Sequence, residues 1–86
     1  MTMTFKRRIA LERLGNQTGA TSEASAAYLA SGTEFGGRAM TRMLHRLEIE
    51  GLAARFRHAN GEFWAITEAG RAVLDKIHAT EEPHVG

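Results

Sequence analysis

The sequence predicts a mainly α-helical domain carrying one small β-hairpin, in the order helix, helix, helix, strand, strand, helix. Three observations carry this expectation. Met40, Met43, Leu44 and Leu47 recur at i, i+3, i+4, i+7, the cleanest helical stripe in the chain. Residues 52–57 and 63–66 alternate instead, with Asn60-Gly61 between them, as a hairpin does. Thr67-Glu68 then opens a second periodic run, Ala69, Val73 and Ile77, with Leu74 beside it.

The first helix is expected from about Thr4 to Gly15. Thr4 can cap it, and Phe5, Ile9 and Leu14 form its apolar stripe. Gly15, Asn16 and Gly19 are expected to stop it in the left-handed conformation. The second helix fits Ser22 to Ser31, capped by Thr21 or Ser22, with Glu23 in its first turn. Ala24, Ala27 and Tyr28 would share its face, and Gly32 would end it. The third runs from Arg38 to Glu50 after Gly36-Gly37, and Gly51-Leu52 ends it. Met40 and Met43 read as core filler.

The hairpin register can be tested against the pleat. A two-residue Asn60-Gly61 loop would pair Arg57 with Trp64 and scatter the apolar residues over both faces. A three-residue loop, Ala59-Asn60-Gly61, pairs Phe56 with Trp64 and Ala54 with Ile66. The second register is therefore expected, with Trp64 a core anchor over Phe56 and with Arg55, Arg57 and Phe63 on the outer face. The last helix is expected from Thr67 to about Ala79. Gly70 near its start suggests a close approach by another backbone.

The 86 residues are read as one domain over residues 1–80, with residues 81–86 a flexible tail holding the single Pro83. A hydrophobic fraction of 43% with 24% charged residues is ordinary globular usage, which argues against wholesale disorder. With no Cys there is no disulfide framework and no thiolate site. No run is apolar enough for a membrane span, and no apolar segment follows the basic start Lys6-Arg7-Arg8, so a cytoplasmic protein is expected. The formal net charge is only +1. Its distribution is uneven. Lys6, Arg7, Arg8 and Arg13 oppose Glu12 alone, and five arginines between 38 and 57 oppose Glu48 and Glu50, whereas residues 59–86 are acidic. Such asymmetry can mark a nucleic-acid face or be ordinary surface charge.

Two motifs resemble the winged helix-turn-helix family. R-M-L-H-R-L-E-I-E-G-L, Arg42 to Leu52, looks like the family's recognition helix with its acidic turn and Gly-Leu. W-A-I-T-E-A-G-R-A-V-L, Trp64 to Leu74, is similar to the strand-to-helix junction after the wing in MarR-like and PadR-like bacterial regulators. The likeness covers most of residues 20–78. It implies a small, sequence-specific DNA-binding protein of bacterial or phage type, a transcriptional regulator acting as a homodimer on double-stranded DNA. The recognition helix 38–50 would enter the major groove and the wing 53–66 would lie on the backbone.

The residues suit that role. Arg38 and Arg42 are i, i+4 neighbours, and Arg is the best reader of guanine. Thr41 and His45 lie beside them, and Arg46 can hold phosphate. Arg55, Arg57, His58 and Asn60 place donors at the hairpin tip. Other readings compete. Arg38, Arg42 and His45 can be a solvated face, Arg55, Arg57 and His58 can be edge-strand protection, and Lys6, Arg7 and Arg8 can be a phosphate arm or a solvated start. Glu48, Glu50 and Glu62 lie near the same face, where they would repel phosphate. The extra terminal helices by which MarR-like proteins dimerise have no counterpart here, so a dimer would use helix 1, the last helix or the tail.

The alternative is a protein-interaction module of the same fold, an adaptor or a phage-type inhibitor of a host or defence complex. Its mark would be Ile49 and Phe63 forming an exposed apolar patch rimmed by Glu48, Glu50 and Glu62. No cofactor is expected. His45, His58, His78 and His84 lack metal-ligand spacing. No nucleophile elbow, P-loop or zinc-protease motif is present, so an enzyme is not expected.

Overall fold

A computed structural model describes residues 4–16 and 23–81. Its elements are α1 (Phe5–Gly15), α2 (Ala26–Ala30), α3 (Gly37–Ile49), β1 (Ala53–His58), β2 (Gly61–Ile66) and α4 (Glu68–Glu81). The expected order, mainly helical with one antiparallel hairpin, is the order found. One core joins all of it, from Leu11 and Leu14 of α1 through Leu29, Met40, Leu44 and Leu47 to Trp64 and Leu74.

α1 starts where the cap chemistry directs. The Arg7 amide donates to the Thr4 hydroxyl at 3.2 Å. Its buried face is Ala10, Leu11 and Leu14, whereas Phe5 is 67% exposed and Ile9 half-buried, so the expected stripe was rotated. Its end also differs. Gly15 is still helical and Asn16 keeps a right-handed φ of −87°. Gly15 instead gives room to Leu74, whose side chain a Cβ would strike. The expected stop at Gly19 and the caps at Thr21 and Ser22 lie outside the described residues, as do His84 and tail residues 82–86.

α2 is shorter than the alanine run suggests. Ser25 caps it, accepting from the Tyr28 amide at 3.1 Å. Ala24 is not helical: it exchanges backbone hydrogen bonds with Trp64 at 2.8 and 2.9 Å, forming a bridge on the free edge of β2. Leu29 and Ala30 face the core, while Ala27 and Tyr28 are exposed, which corrects the expected face. Gly32 ends the segment with φ 84°. α1 helps to finish α2, because Arg13 donates to the Leu29 and Ser31 carbonyls at 3.0 and 2.6 Å. Thr33 braces the following turn, donating to the Ala30 carbonyl at 2.6 Å and accepting from the Phe35 amide at 3.1 Å.

α3 buries its expected stripe, Met40, Met43, Leu44 and Leu47, against α1 and α2. It begins one residue early, at Gly37, with Gly36 as a cap lacking a side-chain acceptor. At its other end Leu52 N–H reaches the Leu47 carbonyl at 2.9 Å and Gly51 N–H the Glu48 carbonyl at 2.9 Å. That pattern needs a left-handed residue, and Gly51 has φ 79°.

The hairpin corrects the sequence expectation. The pairs are Ala53–Ile66, Arg55–Trp64, Phe56–Phe63 and His58–Gly61, so the loop is Ala59-Asn60 alone. Arg55, Arg57, Glu62 and Trp64 therefore share one face, and Phe56, His58 and Phe63 the other. The expectation that the apolar residues of the hairpin gather on one face fails for a physical reason. The Arg55 guanidinium lies 6.0 Å from the Trp64 ring centre and between two carboxylates, so the inner face accepts it. Trp64, 1% exposed, is the core anchor, but it packs on His45 and Arg55 rather than Phe56.

The two family-like motifs meet at one joint. Thr67 Oγ1 donates to the Gly51 carbonyl at 2.7 Å and accepts from the Gly70 amide at 3.0 Å, capping α4. A Cβ on Gly70 would collide with the Leu52 carbonyl, so the inferred close approach is real. Leu74 is buried, Val73 and Ile77 are partly so, and Ala69 is exposed. α4 runs to Glu81, two residues past the expected end.

Candidate nucleic-acid interface

The outer crest of α3 follows from its buried one. With Met40, Met43, Leu44 and Leu47 inward, Arg38, Arg42, His45 and Ile49 occupy the opposite arc. Arg38, Arg42 and Arg46 are exposed and form no ion pair among the described residues. Ile49 is 78% exposed, an unusual position for isoleucine. Thr41 and His45 are half-buried and already engaged. Thr41 Oγ1 donates to the Gly37 carbonyl at 2.8 Å, and His45 stands edge-on to Trp64 at 5.0 Å with Nδ1 3.5 Å from Glu48.

The two flanks of α3 differ in charge. On the hairpin side every cationic candidate has a partner. Arg55 contacts Glu48 at 3.5 Å and Glu62 at 3.3 Å, Arg57 contacts Glu62 at 3.0 Å, and His58 Nε2 lies 2.7 Å from Glu23. The Arg57 hydrogen bond, with the Arg55 charge nearby, holds the Glu62 carboxyl below its ordinary range against the opposing effect of desolvation. Asn60 is exposed at the tip. Of the acidic residues expected to repel phosphate, each holds an arginine; Glu50 takes Arg7 in a two-pronged pair at 2.9 and 3.1 Å.

The structure thus brings Arg38, Arg42 and Arg46 onto one open surface, ties Thr41, His45, Arg55 and His58 into the frame, and leaves Arg57, paired with Glu62, exposed on the hairpin. Sequence reasoning left Lys6 undecided and gave Arg13 no role. Lys6 lines hollows beside Arg42 and Met43, and Arg13 fixes the end of α2. Neither has a local signal, since both meet residues far along the chain. The patch expected of the interaction-module reading is not assembled. Phe63 lies on the hairpin face turned away from α3, tilted against His58 at 5.3 Å, while Ile49 stands on α3. Among the described residues no three side chains could hold a metal ion, and no helix is long and apolar enough to cross a membrane.

A helix-turn-helix whose second helix is exposed beside a hairpin is matched by solved structures. The chain is similar to a MarR family transcription regulator, with 27% identity and a TM-score of 0.77 over 92% of this chain and 52% of that one. It is similar to BpsR of Bordetella bronchiseptica, whose DNA binding is regulated by 6-hydroxynicotinic acid, with 20% identity and a TM-score of 0.80 over 94% of this chain and 56% of that one. It is also similar to a mutant MarR from E. coli complexed with operator DNA, with 22% identity and a TM-score of 0.75 over 90% of this chain and 54% of that one. The fold is a winged helix. No protein-family model and no curated protein matches the sequence. This winged helix spans little more than half the length of the three structures. The first of these is a transcription regulator, and the other two bind DNA.

Proposed function

We propose that this winged helix is a DNA-binding module of a transcriptional regulator, without enzymatic activity, that inserts α3 into the major groove. The observation that carries the reading is the α3 crest. Arg38, Arg42 and Arg46 are exposed cations on a helix whose other side is anchored in the core. A groove-reading helix needs that division, since one side must be fixed for the other to be positioned. Arg38 and Arg42 reach guanine edges, Arg46 holds phosphate, and Ile49 offers an apolar contact to a thymine methyl. Thr41 and His45 set the crest's orientation rather than extend from it. Arg57 and Asn60 at the wing tip contact the backbone, and Arg55 and His58 hold the wing in place.

One module of this size buries too little surface for selective binding. A homodimer on a two-fold operator follows, with the compact unit taken as residues 1–80. The test is a gel-shift titration on an operator selected from random duplexes. Arg42→Ala is expected to weaken binding by about 1–3 kcal/mol and to relax discrimination at one base position. Unchanged affinity and selectivity would remove Arg42 from the base-reading role. Light scattering of the complex gives its stoichiometry.

A further inference from the structure

We infer that the groove between the start of α1 and α3 is a second phosphate-binding site, with Lys6 a DNA-contacting residue acting beside Arg42 and Arg46. The inference rests on the DNA-binding reading above and assigns to α1 a contact that the recognition helix and wing do not include.

Two adjoining hollows lie there. Lys6, Arg42 and Met43 line both; Phe35 and Ala39 complete one, and Thr4, Arg7 and Arg46 the other. Their volumes are about 250 and 260 Å³. Both fall below the roughly 300–1,000 Å³ of small-molecule pockets, so they suit a group that seats on the surface. Neither has a carboxylate among its lining residues. Lys6, Arg42 and Arg46 form no ion pair among the described residues, and Glu50 already engages Arg7 beside them. A phosphodiester entering here meets Lys6 and Arg46 without separating either from a carboxylate, while Arg42 beside them keeps its base contact. A phosphate approaching Arg55 or Arg57 must displace Glu62. The occupant is the DNA backbone itself, because α3 in a major groove has a sugar-phosphate strand along each flank, and this flank carries uncompensated positive charge.

The test is fluorescence anisotropy on a labelled random-sequence duplex across a series of salt concentrations, for wild type, Lys6→Ala, Lys6→Arg, Arg46→Ala and Arg57→Ala. Lys6→Ala is expected to weaken binding several-fold on every sequence and to reduce the salt slope by about one. Lys6→Arg should retain both, which separates charge from packing, and Arg46→Ala should match Lys6→Ala. Arg57→Ala should cost less than either. If wild type binds and Lys6→Ala binds with the same affinity and slope, the α1 site is wrong and the DNA-binding reading stands. If wild type does not bind at low salt, both fall. Thermal melts show whether each variant is folded; Lys6 is exposed, so its removal should leave the melt unchanged.

Discussion

The two flanks of α3 carry similar numbers of basic side chains in sequence and present different surfaces in space. On the hairpin flank, Arg55, Arg57 and His58 are engaged by Glu48, Glu62 and Glu23. On the α1 flank, Lys6, Arg42 and Arg46 surround a concave surface with no carboxylate in its lining. The difference teaches that a count of arginines does not measure what DNA would meet. An exposed ion pair adds little stability, about 0–1 kcal/mol, yet it must be exchanged before either partner serves a phosphate. The hairpin flank uses its charges within the wing and in ties to Glu48 of α3 and to Glu23 before α2. The α1 flank leaves them available.

The largest expected effect breaks the hairpin flank outright. Trp64 is paired with Arg55 on one side, bridged to Ala24 on the other, and packed on His45. Trp64→Ala should cost about 3–5 kcal/mol of stability, read by urea titration, whereas Phe5→Ala at an exposed site should change it by about 0.5 kcal/mol or less. Equal losses would contradict the placement of the core. Glu62→Gln sharpens the comparison with a smaller effect. It loosens the hold on Arg55 and Arg57, so DNA affinity should rise several-fold with a steeper salt dependence. An affinity that stays put would mean that the wing arginines do not reach DNA.

The smallest effect is pH-linked. The Glu62 carboxyl is lowered in the folded protein from an ordinary 4.5. Its contribution to stability is therefore complete above that unfolded value and lost as pH falls through the lower folded one. Wild type should exceed Glu62→Gln in stability at neutral pH, and the gap should close in acid. A gap independent of pH would show that ionisation of Glu62 has no part in holding the wing.

Much of this was legible in the sequence because it is local. The α3 stripe, the Thr4 and Thr67 caps, the Gly51 stop and the Gly70 approach all depend on residues a few positions apart. What was illegible depends on distant partners. Ala24 leaves the α2 run because Trp64 pairs with it, forty residues on. The register turned on Arg55, whose inward position is supported by Glu48 and Glu62 from other elements. The same limit applied to the site. Arg38, Arg42 and Arg46 could be placed by helical period, but Lys6 joins them only through the packing of α1 on α3.

The central claim is that the open basic crest of α3 binds duplex DNA by charge. The most direct measurement is the wild-type affinity for random-sequence duplex as a function of salt, by fluorescence anisotropy. The expected result is binding that weakens steeply with salt, with a slope of several phosphates. Absence of binding at low salt, or binding indifferent to salt, would contradict it.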